Sequence, residues 1–172
     1  MRERPGAAAP TSSSWRCTGA ASTCTSRPPS SGSWPGVLLT GSDIDVLYGH
    51  HGHVVQPVQR VHGKWVIYGL GNSVAAQSVR RPATQEGLLV RVQLVRDGKG
   101  RWQNGRLDWV PSLVRRASPY RWRDVDLALN KGQLTGSTRR AFERSRLRTK
   151  KVVESRGAGR QGAHELAPPP RR

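Results

Sequence analysis

Apolar and polar positions show no period over the first 40 residues, and from Ile44 they follow the period of strands. The run IDVLYG, residues 44–49, predicts a short apolar strand that ends at Gly49. VQRV and KWVIYGL flank His62-Gly63, a dipeptide that predicts a two-residue hairpin turn in which glycine supplies a positive φ. The ordered part of the chain is therefore predicted to begin with a strand and a tight hairpin.

A second hairpin is predicted further along. Apolar residues alternate over 88–95, which is typical of a half-buried strand, and the turn residues 97–100 follow. The segment RLDWV then brings Leu107 and Trp109 to one face of a returning strand. We expect these two strands to pair with each other.

The segments after this hairpin look less regular. Pro111, Pro119 and the region of Trp122 indicate an irregular cover. The run RDVDLAL alternates and predicts a short edge strand, with Asp124 and Asp126 on its solvated face.

A basic helix is predicted near the end of the chain. Ser137 or Thr138 can cap its start, it would run to about Ser155, and Gly157 would end it. Its apolar stripe is thin, so we expect weak packing: Ala141, Phe142, Leu147, Val152 and Val153.

These patterns divide the 172 residues into four segments. Residues 1–40 are rich in Ser, Pro and Gly and are predicted to be disordered, 41–130 carry the strands, 131–157 the basic helix, and 158–172 a disordered tail. Cys17 and Cys24 match neither a zinc nor a redox spacing and receive no function. No apolar run approaches the ~18 residues of a membrane helix, and the N-terminus does not read as an intact signal peptide.

The net charge of +18 changes the picture, because such a chain attracts nucleic acid or an anionic surface. From Arg139 to Arg172, eleven Lys and Arg residues oppose three Glu residues, a net of +8. A small basic nucleic-acid-binding protein is therefore one hypothesis, and steep salt dependence of DNA binding would favour it. The alternative for this segment is a solvated helix, because it offers few aromatic residues for stacking on bases.

The candidate chemistry lies in the stretch GHHGH, which places His50, His51 and His53 directly after the first strand. In extended backbone His51 and His53 would share a face, and neutral imidazole binds zinc, manganese or iron. A metal site needs about three or four ligands, and few carboxylates are near in sequence: Asp43, Asp45 and, much later, Glu86. The alternative is a loop whose histidines contact only solvent or backbone. His62 is interpreted as a turn residue and His164 as part of the tail.

The stretch GHHGHVVQPVQRVHGKWVIYGLGN resembles the C-terminal signature of the CapA/PgsA family of capsule and poly-γ-glutamate synthesis proteins. The shared pattern is Gly-His-His-x-His-Val-x-Gln-Pro, then a Gly-Lys hairpin, then Tyr-x-Leu-Gly-Asn, which ends here at Asn72. The segments EGLLVRVQLV and LTGSTRRAFERS are similar to the actinobacterial branch. The resemblance extends from Asp43 to about Leu129.

This resemblance implies a fold, a site and a setting. The fold would be α/β, part of a metallophosphatase-like (calcineurin-like phosphoesterase) sandwich of two sheets, here incomplete and with a C-terminal helix. His51 and His53 would bind a divalent metal ion, His50 with less support, and Asn72 would line the same pocket. The implied chemistry is metal-assisted work on a phosphate or amide-type polymer intermediate. Partners would be other capsule or polyglutamate synthesis components, at or outside the membrane.

Two departures from the family shape our expectations. Its members are much longer, so we expect this chain to be an inactive C-terminal fragment that does not retain the metal and exposes strand edges. Residues 13–36 look unlike the family, but codons for SSWRCTGAASTCTSRP, regrouped by two bases, can read VVALHWGREYVHQP, similar to its LHWGxEY segment. We therefore expect residues 1–40 to be a frame-shifted translation.

A non-catalytic cell-surface structural protein is a further alternative.

Overall fold

The structure, a computed structural model, describes residues 34–40, 44–75, 80–115, 120–166 and 168. The expectations for Cys17, Cys24, Asp43 and Pro119 lie outside these residues. The helices are α1 (Trp34–Leu39), α2 (Val125–Asn130) and α3 (Gly136–Glu154), with short 3-10 helices at Pro82–Gln85 and Gly159–Gln161. The strands are β1 (Val46–Tyr48), β2 (Val58–Val61), β3 (Lys64–Ile67), β4 (Glu86–Arg96), β5 (Trp102–Arg115), β6 (Arg121–Asp124) and β7 (Ala163–Glu165).

The first sheet has the order β1-β3-β2. β1 runs parallel to β3, with Val46 opposite Trp65, and β2 pairs with β3 in the antiparallel direction. His62 and Gly63 have φ values of 51° and 78°, and two positive φ values define the type I′ hairpin turn. The predictions of β1, of the hairpin and of a turn role for His62 are confirmed.

The second sheet has the order β4-β5-β6, and β7 pairs parallel to β5. β4 and β5 form the long hairpin that the alternation predicts, and Leu107 and Trp109 both enter the core. The predicted alternation continues only to Val92, because the register shifts between Val92 and Leu94 and leaves Leu94 43% exposed.

Pro111 and Trp122 are strand residues, which corrects the predicted irregular cover. Pro111 lies inside β5 opposite Leu88, and Trp122 lies in β6. Leu88 donates its backbone N–H to Leu70 O, so the Leu88–Pro111 pair exchanges no hydrogen bonds and Pro111 N points away from β4. On that side β7 pairs only up to Trp109 and β6 only from Ser112, so among the described strands none requires a donor at Pro111.

The two sheets are joined at the segment that follows β3. Gly71 forms a bridge with Gly87, and Asn72 N donates to Glu86 O at 2.9 Å. Trp65 crosses between the sheets, since its indole nitrogen donates to Gly105 O at 3.0 Å. The main core takes residues from both sheets and from α3: Val55, Val58, Trp65, Ile67, Leu88, Leu107, Trp109, Val153, Ala158 and Ala163. The fold is α/β with two mixed sheets, in agreement with the predicted class.

The predicted edge strand over RDVDLAL is wrong, because from Val125 this run forms α2. The Asp124 side chain accepts a hydrogen bond from Leu127 N at 2.8 Å and caps the helix. Val125 and Leu129 pack on Phe142 of α3. Asp126 is buried, so the two carboxylates do not share a solvated strand face.

α3 confirms the predicted basic helix but begins earlier, with Thr135 at its N-cap position, and ends before Gly157, which has a φ of 76°. The predicted apolar stripe is only partly buried. Phe142 and Val153 enter the core, whereas Leu147 is 67% exposed and two hydroxyl residues, Ser145 and Thr149, are buried in its place.

Both ends of the described chain are more ordered than predicted. β7 pairs with β5 through residues 107–109, and Ala158 and Ala163 are core residues, so the prediction of a disordered tail from residue 158 is wrong for this part. His164 accordingly lies in a strand. The prediction that residues 1–40 are disordered is wrong for the six residues of α1. They form a helix whose last residue, Leu39, is 1% exposed.

Candidate functional site

The loop that carries His50, His51 and His53, called the histidine loop below, lies between β1 and β2. Its backbone is not extended as predicted. His51 and His53 have φ values of 78° and 53°, in the left-handed region. Histidine adopts this region more readily than most residues, but a side chain there still strains the backbone. Strain of this kind concentrates at functional sites, which makes the loop the leading candidate.

The loop is anchored on the backbone that continues β3. Gly49 N donates to Ile67 O at 2.8 Å, and Leu70 N donates to Gly49 O at 3.3 Å. A Cβ at Gly49 would clash with Tyr68 O, so glycine is required where the loop begins. At the far end Gln56 N donates to Gly69 O at 3.0 Å. Both ends of the loop are therefore fixed to one segment, which runs from the end of β3 to Leu70.

The side chain of Tyr68 stabilises this segment. Its hydroxyl accepts hydrogen bonds from Gln59 Nε2 at 2.8 Å and Arg156 at 3.4 Å. The Arg156 guanidinium also lies 4.8 Å from the Tyr68 ring centre. Burial raises the pKa of Tyr68, so the hydroxyl stays protonated.

Asn72 lies in the segment that follows β3 and reaches across to His53. His53 Nδ1 lies 2.8 Å from Asn72 Oδ1, and Asn72 Nδ2 lies 3.3 Å from His53 O and 2.7 Å from Thr84 O. The structure thus brings together His53 and Asn72, which the resemblance places in one pocket. The contribution of Thr84 was not predicted, and because it comes through a backbone carbonyl, no side-chain pattern could have indicated it.

The rings of His51 and His53 lie close to each other. Their centres are 5.9 Å apart at an interplanar angle of 44°. Two imidazoles bound to one ion at about 2.1 Å place their ring centres roughly 5–6 Å apart. His50 instead packs edge-on against Tyr48, with ring centres 5.5 Å apart.

Of the carboxylates named as candidate partners, Glu86 serves another contact. Glu86 is buried and accepts hydrogen bonds from Arg148, with Arg148 Nε 3.0 Å from Glu86 Oε1. Burial raises the pKa of Glu86 more than Arg148 lowers it. Asp45 accepts from Asn104 through its backbone oxygen. Within the described ranges no three His, Cys, Asp or Glu side chains converge as a metal site.

Three basic side chains of α3 form ion pairs with the second sheet. Arg148 pairs with Glu86, and Arg146 and Lys150 pair with Glu165 of β7. These pairs attach the helix to β4 and to β7, the strands on either side of β5. No helix in the described part of the chain is long and apolar enough to cross a membrane.

The fold and the site define an α/β protein with an anchored, strained histidine loop, and comparison places that loop in a known class. Residues 37–77 match the family described as "Bacterial capsule synthesis protein PGA_cap". The match contains all three loop histidines and Asn72, and this part of the chain is related to the CapA/PgsA family.

A comparison with curated proteins shows the same relationship. The chain is 33% identical over 70 residues to "PGA biosynthesis protein CapA" of Bacillus subtilis (strain 168). The alignment covers 41% of this chain and 18% of that protein, so the chain spans less than a fifth of its relative. No solved structure shows a significant match.

Proposed function

We propose that this protein takes part in the synthesis of a capsule polymer of the poly-γ-glutamate type, and that its histidine loop contributes to a divalent-metal site. The family match over residues 37–77 supports the pathway, because the matched segment contains the loop itself. The single observation that supports the site is the pair of left-handed histidines, His51 and His53, with rings 5.9 Å apart.

In contrast to the expectation that this chain does not retain the metal, we propose that His51 and His53 supply two ligands and that further ligands come from outside the described residues. A bound divalent ion would act as a Lewis acid toward a phosphoryl or carbonyl oxygen. His50 has a weaker claim, because its ring packs on Tyr48. The two mixed sheets are compatible with part of a metallophosphatase-like sandwich, and we propose that ancestry on the resemblance of the loop.

Metal binding can be tested on the full chain by isothermal titration with Zn²⁺ and Mn²⁺. We expect His51→Ala and His53→Ala each to weaken binding at least about tenfold, since removing one of few ligands leaves the ion undercoordinated. His164→Ala is the matched control, because His164 is exposed on β7 and belongs to no part of the loop. Equal metal binding by all three variants would contradict the proposed metal site.

The pathway requires a separate test in the native host. Deleting the gene should lower the glutamate released by acid hydrolysis of purified capsule, and reintroducing the gene should restore it. A capsule unchanged in amount and composition would contradict the proposed pathway whatever the metal titration gives.

A further inference from the structure

Asn72 holds His53 through two different parts of that residue. Its Oδ1 lies 2.8 Å from the ring nitrogen Nδ1, and its Nδ2 lies 3.3 Å from the backbone oxygen of the same histidine. One amide therefore contacts both the strained backbone of His53 and its ring. The contact joins residues 19 positions apart in the chain.

We propose that Asn72 is a positioning residue that fixes the tautomer of His53, with the proton on Nδ1 and a free lone pair on Nε2. An amide oxygen can only accept, so the hydrogen bond at 2.8 Å requires a proton on Nδ1. In neutral imidazole the other nitrogen is then unprotonated, which is the form that binds a metal ion or accepts a proton.

The orientation of the Asn72 amide follows from its other neighbours. Nδ2 faces two carbonyl oxygens, of His53 at 3.3 Å and of Thr84 at 2.7 Å. A flipped amide would place Oδ1 against both acceptors and lose two hydrogen bonds. Because Asn72 is only 6% exposed, water could not readily replace them. The oxygen must therefore face His53.

The backbone holds the amide in place. Asn72 N donates to Glu86 O at 2.9 Å, and the preceding Gly71 has a φ of 68°. A Cβ at Gly71 would clash with Glu86 O, so the chain follows a path open only to glycine there. The oxygen that accepts the His53 proton is thus held where the two sheets join, and its position does not depend on a bound ligand.

The tautomer rests on these contacts alone, whereas the identity of the group that Nε2 binds rests on the proposed function. An outer contact that orients a ligating histidine typically changes metal affinity by roughly 10- to 100-fold when removed. We therefore expect Asn72→Ala to weaken metal binding by about this factor although Asn72 is not itself a ligand.

The test is the two-bond ¹H–¹⁵N correlation spectrum of the metal-free full chain with ¹⁵N-labelled histidine, recorded at a pH where the rings are neutral. For wild-type His53 we expect the pattern of an Nδ1-protonated ring. Exposed His164 should show the Nε2-protonated form that free imidazole side chains prefer. A His53 pattern like that of His164 in the wild-type protein would overturn the proposal.

Variants separate the hydrogen bond from general disturbance of the loop. Asn72→Ala should shift His53 toward the His164 pattern. Thr84→Ala should leave it unchanged, because the contact with Asn72 uses the Thr84 backbone oxygen. If Asn72→Ala does not fold, the wild-type spectrum still decides the question. Since the protein carries no metal in this experiment, failed metal binding would refute the proposed function and leave the tautomer standing, and the reverse also holds.

Discussion

Asp126 offers a direct test of the packing between α2, α3 and β7. Its carboxylate is 5% exposed and lies 2.8 Å from Arg146 Nε. That same nitrogen donates its hydrogen to Glu165 Oε1 at 2.8 Å, and neither oxygen of Asp126 accepts a hydrogen bond within the part of the chain described. Lys150 pairs with Glu165 from the other side. Asp126 is therefore a buried carboxylate near a cation that is committed elsewhere.

Burial raises the pKa of Asp126 from 3.8 to about 6, and the nearby Glu165 and Asp124 add to the effect against the opposing pull of Arg146. One pH unit corresponds to ~1.4 kcal/mol, so ionising this group costs the folded state roughly 3 kcal/mol relative to the unfolded chain. The folded pKa is the higher one. The associated stability is therefore fully present below about pH 4 and is lost as the pH rises through about 6.

Asp126→Asn removes this ionisation while keeping the shape of the side chain. We expect the variant to be as stable as wild type or more stable at pH 7.5, and to lack the loss of up to ~3 kcal/mol that wild type shows between about pH 4 and 7. Urea unfolding at intervals across this range measures both. Glu143→Gln is the control, since Glu143 forms an exposed pair with Arg139 worth at most ~0.5 kcal/mol. An unchanged pH dependence in Asp126→Asn would refute the reasoning.

Two further pairs of substitutions test the loop anchor and the packing of Phe142 between α3 and α2. Gly49→Ala should cost at least ~2 kcal/mol of unfolding free energy, because the new Cβ would clash with Tyr68 O, whereas Gly98→Ala has open space and should cost less than ~1 kcal/mol. Phe142→Ala should cost ~3–5 kcal/mol by leaving a cavity against α2, and exposed Leu147→Ala should change stability by at most ~0.5 kcal/mol. Urea unfolding checks all four, and equal losses within either pair would contradict the packing described.

The sequence was sufficient for the two hairpins because their signals are local. His62-Gly63 fits a two-residue turn, and alternating side chains place Leu107 and Trp109 on one face. The prediction of a strand over RDVDLAL was wrong because this segment has too few apolar residues to distinguish the period of a strand from that of a helix. What decides between them is the side chain of Asp124, whose hydrogen bond to Leu127 N exists only in the helical form.

The ordered end of the chain could not be predicted for a different reason. Ala158 and Ala163 are small, and their neighbours are glycine or polar, so no hydrophobic period marks the segment. Its order comes from long-range contacts: β7 pairs with β5, and Arg60 N donates to Gln161 Oε1 at 2.7 Å across 101 residues. Contacts at such separations leave no signature in a local window of sequence.

At the candidate site, one part could be predicted from the sequence and another part could not. The motif itself, with His51 and His53, is visible in the sequence, but its expected extended geometry is wrong because both residues adopt positive φ. A local rule could not have found this, since the conformation is maintained from outside the loop. Gly49 and Gln56 bind the segment that runs from the end of β3 to Leu70, and Asn72, two residues further on, contacts His53. The histidines and asparagine of the motif thus belong together physically because one segment both anchors the loop and carries the residue that orients its ring.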